Sequence, residues 1–68
     1  MSATLHAQQP ITGNQPEALF AEARARFDRA LYISAYEYFA EVRAVTPVAS
    51  GWSEQSMYYQ ALCAIRLL

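Results

Sequence analysis

Few side chains in this sequence have the chemistry of a catalytic or metal site. The chain has a single cysteine, Cys63, and a single histidine, His6. A nucleophilic cysteine needs a neighbouring base and an environment that favours the thiolate. Cys63 lies between Leu62 and Ala64, far along the chain from His6, and this setting is typical of a small packing residue. A histidine among glutamine and alanine also lacks the further ligands that a metal requires.

Two carboxylates, Glu37 and Glu41, are four residues apart and would share one face of a helix. They could perform acid–base chemistry if one were buried and its pKa were raised. Both fall on the polar side of the predicted helix, where carboxylates stay ionised. Because the sequence also lacks a nucleophile–base pair, a metal set and a phosphate-binding loop, it predicts no enzyme and no cofactor.

Composition narrows the classes of partner. The formal net charge is −1, and all five basic residues are arginines, so neither a basic stripe for nucleic acid nor a basic membrane-surface helix is predicted. The apolar run 61–65 is too short to insert into a bilayer. Apolar residues nevertheless make up 54% of only 68 positions. A chain this short buries about 60% of its unfolded surface, so association with protein is the expected route to stability.

Residues 1–15 contain Pro10 and Gly13 and lack a helical stripe, which predicts a flexible leader. Leu5-His6-Ala7, followed by glutamine, is also similar to the end of a secretory signal. An ordinary N-terminal segment is the alternative interpretation. A signal remnant at 1–7 would favour a periplasmic or secreted protein, and an ordinary N-terminus would favour a cytoplasmic one.

Two helices are expected between residues 16 and 46. Pro16 suits a first helical turn, and a turn is predicted over 29–33, although the segment contains neither glycine nor proline. A continuous helix over 16–46 is the alternative. Pro47 should end the second helix, because the residue before a proline is disfavoured in helical geometry. The two apolar stripes, at helical spacing, are Leu19, Phe20, Ala23, Phe27 and Ala30, then Tyr32, Ala35, Phe39 and Val42.

A third helix should follow a loop over 48–52, with Ser53 as its cap and Glu54 in its first turn. This helix is apolar on two sides. The two earlier helices can cover only one of them, so the rest requires further chain or a second copy. The apolar positions are Tyr58, Ala61, Leu62 and Ile65 on one side, and Met57, Ala64 and Leu68 on the other.

The spacing Y-x2-A-x3-F-x7-P, carried by Tyr32, Ala35, Phe39 and Pro47, resembles the second helix of a tetratricopeptide repeat. Further residues resemble packing positions of the repeat's first helix and of the next repeat: Leu19, Ala23, Phe27, Tyr59, Leu62 and Cys63. Glu22 and Ala30 depart from the pattern, which has an apolar residue and a turn glycine there. The resemblance covers residues 17–68, and its tail resembles bacterial cell-envelope repeat proteins. It implies an all-α, tetratricopeptide-like module over 16–68, an antiparallel hairpin plus a third helix.

The resemblance implies a protein-binding scaffold segment that packs on other protein or on further repeats of its own chain. The alternative is a stand-alone structural protein that forms a homodimeric helical bundle. Aromatic residues exceed what a hairpin core needs, and tyrosine, tryptophan and arginine are common at binding hot spots. The predicted partner-binding residues are Tyr36, Trp52, Tyr58, Arg24 and Arg43. Tyr32 and Phe39 are predicted to be core residues.

Overall fold

The computed structural model describes residues 15–68, which fold into three helices without a strand. Helix α1 spans Gln15–Asp28, α2 spans Tyr32–Ala44 and α3 spans Gly51–Arg66. The predicted all-α class, a helical hairpin followed by a third helix, is confirmed. Of the leader predicted over 1–15, only Gln15 lies within the described residues, and it begins α1.

The turn between α1 and α2 is built by the backbone, which explains why it needs neither glycine nor proline. The Leu31 N–H donates to the Arg26 carbonyl at 2.9 Å, and the Ala30 N–H donates to the Phe27 carbonyl at 3.0 Å. This pair of bonds is the Schellman arrangement that ends many helices. Ala30 adopts a φ of 64°, a left-handed conformation that costs a residue with a Cβ about 1–2 kcal/mol. The alternative of a continuous helix over 16–46 is therefore wrong.

Helix α2 is the centre of the fold, because it packs closely against both α1 and α3. Ala23 of α1 and Ala35 of α2 are fully buried, and such small side chains let two helices approach closely. Phe39 of α2 is also fully buried and stacks on Tyr59 of α3, with ring centroids 5.1 Å apart and 7° between the planes. The predicted core role of Phe39 is confirmed.

The connection from α2 to α3 corrects one detail of the sequence analysis. Helix α2 ends at Ala44, shortly before Pro47. The N-cap of α3 is Ser50, whose Oγ accepts a hydrogen bond from the Ser53 N–H at 3.1 Å. The predicted cap, Ser53, instead lies in the first turn and is buried. Trp52, which the sequence placed in the loop, therefore belongs to α3 and has a fixed position against its neighbours.

Candidate protein-interaction surface

One side of α3 is apolar and faces away from the other two helices. On a helix with 3.6 residues per turn its residues fall within an arc of about 120°. We call this surface the α3 outer face; it consists of Met57, Tyr58, Ala61, Ala64 and Ile65. All five are exposed, and the three large side chains keep 52%, 61% and 61% of their surface accessible, respectively. Leu68 follows one turn later and is also exposed.

A second side of α3, which adjoins the partly buried Trp52 and Tyr59, is buried in the fold but small or polar. We call it the α3 inner face; it consists of Ser53, Ser56, Gln60 and Cys63, the four buried residues of this helix. A surface helix normally turns its apolar stripe inward and its polar residues to water. Along these two faces α3 reverses that arrangement, so the helix is only half covered by the three-helix fold.

Gln60 fixes how the inner face lies on α2. Its side chain is 6% exposed, and its Nε2 donates to the Tyr36 carbonyl at 3.2 Å. Arg43 donates from its guanidinium to Gln60 Oε1 at 2.6 Å. A buried amide needs such partners, and here both come from one face of α2. The bonds hold α3 in one rotation about its axis and thereby direct the outer face away from the fold.

Aromatic rings hold α3 from the side of α1. Trp52 and Tyr59 are two turns apart on α3, and both contact Phe20, with ring centroids at 5.4 Å and 5.9 Å. Phe27 also meets Tyr59 edge-on at 5.3 Å. Such pairs contribute about 0.5–1.5 kcal/mol each beyond the burial of their area. The rings therefore oppose any rolling of α3 that would bring the outer face into the fold.

Two arginines close the edge where α1 meets α3. The Arg24 guanidinium carbon lies 4.9 Å from the Tyr59 ring centroid, and its terminal nitrogen is 3.6 Å from Asp28. Arg66 donates to the Tyr32 hydroxyl at 3.1 Å. The Arg66 guanidinium carbon also lies 5.7 Å from the Tyr32 ring centroid, so both arginines form cation–π contacts with rings of their own chain.

The five predicted partner-binding residues fall in three places. Tyr58 is part of the α3 outer face and is 61% exposed. Tyr36, 43% exposed, and Arg43 border that face on α2, beside Gln60. Trp52 and Arg24 lie instead at the α1 edge, partly buried against aromatic rings. The structure therefore brings Tyr36 and Arg43 together beside Gln60, places Tyr58 on the far edge of the outer face, and separates the other two from both.

Met57, Ala61, Ala64 and Ile65 were missed as site residues, although their apolar character was noticed. The signal that could have identified them is the arc they share with Tyr58, apart from the small and polar residues of the inner face. Small residues such as serine and alanine occur both in cores and on surfaces, so their residue type alone does not show which side of a helix is buried. Which side of α3 faces α2 became clear only from the partners of Gln60.

The residues first considered for chemistry are dispersed. Cys63 is fully buried, and this burial raises the pKa of its thiol. Glu37 and Glu41 are exposed on α2, and His6 lies outside the described residues. Between Gln15 and Leu68 no group of three histidine, cysteine or acidic side chains could hold a metal ion. Within the same segment, none of the helices has the length and apolar character needed to cross a membrane.

Comparisons with known proteins do not identify a relative of this chain, so the α3 outer face is interpreted from its own geometry. Scans against protein-family models, curated proteins and solved structures each found no match. The similarity to a tetratricopeptide repeat thus rests on residues of this chain. Among them Ala35 and Phe39 are buried, and Tyr32 is partly buried against Phe27 at 5.5 Å.

Proposed function

We propose that this chain is a non-enzymatic protein-interaction or scaffold module, a segment of a tetratricopeptide-like array, that binds protein through the α3 outer face. The observation that carries the proposal is the reversed polarity of α3. Its buried side is small and polar, whereas Met57, Tyr58 and Ile65 face outward. Burial of apolar area is the main driving force of protein association, and this face offers that area.

The size of the exposed patch supports the proposal. Large side chains that are more than half exposed, with alanines between them, present roughly 400–500 Å² of apolar surface, which is typical of a functional patch on a small protein. The patch is continuous, since Ala61 lies between the large residues on both sides. A partner that packs along α3 would cover all of it at once.

The border of the face has the character of an interface rim. Tyr36 is 43% exposed on the α2 side, and Arg43, also exposed, is already hydrogen-bonded to Gln60. Interfaces commonly combine an apolar centre with a polar rim, and tyrosine and arginine are frequent hot spots. Arg43 is held in place before a partner arrives, so less side-chain entropy is lost on binding.

Photo-crosslinking tests the proposal. A benzophenone amino acid in place of Tyr58 would report on the outer face, and the same group in place of Ala25, exposed on α1, is the matched control. We expect protein adducts from position 58, whether to the same chain or to another, and few from position 25. Equal yields at both positions, or none at either, would contradict the proposal.

A further inference from the structure

We infer that the partner of the α3 outer face is a second copy of this chain, packed antiparallel along α3 about a twofold axis that passes beside Ala61. The inference rests on the proposed function and identifies its partner. A twofold contact brings the same surface of both copies together, so that surface must be complementary to itself. The arrangement of residues around Ala61 meets this condition.

Side-chain size along the outer face is complementary to itself in the antiparallel direction. Met57 and Tyr58 precede Ala61 by four and three residues, and Ala64 and Ile65 follow it by three and four. In an antiparallel pair centred on Ala61, Met57 therefore lies against the partner's Ala64, and Tyr58 against the partner's Ile65. The long methionine side chain meets a small residue, and the tyrosine ring packs on a branched aliphatic one. The two central alanines let the helix axes approach to about 8 Å.

Charge selects the antiparallel direction over the parallel one. Glu54 is the charged residue at the start of the outer arc, one turn before Met57 and Tyr58. In a parallel pair the two glutamates would lie side by side and repel each other. In the antiparallel pair they are about 20 Å apart at 1.5 Å per residue, beyond the screening length of about 8–10 Å. Antiparallel helix dipoles also attract.

The area is sufficient for a dimer of moderate strength. Two outer faces would bury roughly 1,000 Å² in total, the lower end for a specific interface. The outward side of α1 is a poorer alternative, because Ala21 and Ala25 there lie among Glu17, Glu22 and Asp28. Pairing of α3 with α3 covers the three large exposed apolar side chains of each outer face, and we expect it to dominate at micromolar concentrations, on the order of those for small interfaces.

Disulfide trapping tests the geometry. In a Cys63→Ala background, Ala61→Cys places a thiol beside the twofold axis, within reach of its own symmetry mate. Glu54→Cys is the matched control, because antiparallel packing keeps its two thiols apart. Under mild oxidation we expect a covalent dimer of twice 7.6 kDa from position 61, in at least tenfold higher yield than from position 54. If Cys63→Ala lowers helicity, Ala61→Cys and Glu54→Cys can each be introduced into the wild-type chain instead, because the native Cys63 is buried.

The remaining outcomes overturn the inference in distinguishable ways. Comparable yields of dimer from positions 54 and 61 would mean parallel packing, because both thiols then lie beside their symmetry mates. A wild-type molar mass of one chain at all concentrations in light scattering would exclude the second copy. If that monomer still gave adducts to other proteins from a crosslinker at position 58, the proposed function would stand and only the identity of the partner would be wrong. A monomer without any adducts would overturn both.

Discussion

The two faces of α3 contrast in both polarity and burial. The inner face is small and polar, yet it is buried; Gln60 finds its hydrogen-bond partners on α2, whereas the Ser56 hydroxyl has none. The outer face is large and apolar, yet it is exposed, with Ile65 and Tyr58 each 61% accessible. On these two faces of α3, burial thus follows contact with α2 and not hydrophobicity. The apolar area that remains is available for contact between molecules.

The outward side of α1 shows what a solvated face of the same protein looks like. It carries alanines and charged residues, and Arg26 forms an ion pair there with Glu22. Arg26 also lies 4.2 Å above the Tyr38 ring, so its stem covers part of the junction with α2. Because charged residues and an ion pair cover the outward side of α1, that side needs no protein partner. Helix α1 is therefore the natural reference for experiments on α3.

The largest effect is expected where α2 is buried. Ala35→Glu would place an unpaired charge at a fully buried position, at a cost of several kcal/mol, comparable with the whole stability of a small domain. Far-UV circular dichroism should show loss of helix. Ala40→Glu, at an exposed position of the same helix, should remain helical. A folded Ala35→Glu protein would mean that α2 is not held between its neighbours.

The inner face of α3 should respond next. Gln60→Ala removes the amide that joins α3 to the Tyr36 carbonyl and to Arg43. We expect a loss of about 1–3 kcal/mol in the free energy of unfolding, measured with urea. Gln55→Ala, exposed on the same helix, should change it by less than about 0.5 kcal/mol. Equal effects of the two substitutions would show that the inner-face network does not stabilise the fold.

The turn before α2 offers a change in stability that touches neither face of α3. Ala30→Gly relieves the left-handed conformation at φ 64° and should raise the free energy of unfolding by about 1 kcal/mol. Ala25→Gly, inside α1, should lower it by about the same amount. Thermal unfolding measures both. If association is a property of α3, its strength in light scattering should be the same in the two variants.

The rates at which thiols on the two faces react compare the accessibility of these faces directly, and this experiment needs the smallest change in stability. Cys63 on the inner face is buried, so N-ethylmaleimide should modify it only when the protein unfolds. A thiol introduced by Ala61→Cys on the outer face should react quickly in dilute solution, where the chain is monomeric. Comparable rates for the two thiols would contradict the assignment of the faces.

The pH dependence of Cys63 has a definite sign. Its pKa is raised in the folded protein from an ordinary value of 9.0 because burial disfavours the thiolate. The folded state therefore binds the proton more tightly than the unfolded state. This contribution to stability is constant below about pH 9 and is lost as the pH rises above it. Urea unfolding at pH 8 and pH 10 should show a smaller decline in Cys63→Ala than in the wild type.

Much of the fold could be predicted from periodicity. The stripe ending at Val42 and the stop near Pro47 predict α2, and the apolar character of α3 indicated that its burial is incomplete. Ser53 was mistaken for the cap because serine suits both a cap and a close helix contact, and only the hydrogen bond to Ser50 separates these roles. The turn at Ala30 could not be fixed, because its residue type does not reveal its left-handed backbone.

The candidate surface was predictable in part. Tyr58 lies on the outer face, and Tyr36 and Arg43 lie on α2 beside Gln60, but Trp52 packs on Phe20 instead. An aromatic residue has the same composition signal in a core as at an interface, so exposure must come from the structure. Tyr36 and Arg43 lie together because α2 and α3 align through Gln60, which is 24 residues apart in sequence from Tyr36.

Thermal unfolding at two protein concentrations tests the central claim, burial of the α3 outer face between two copies, most directly. The proteins to compare are the wild type, Ile65→Glu on the outer face and Ala25→Glu on α1. A dimer makes the melting temperature depend on concentration. We predict that it rises by several degrees over a hundredfold increase in concentration for the wild type and Ala25→Glu, and stays constant for Ile65→Glu. A constant melting temperature for the wild type, or an equal rise for Ile65→Glu, would contradict the account.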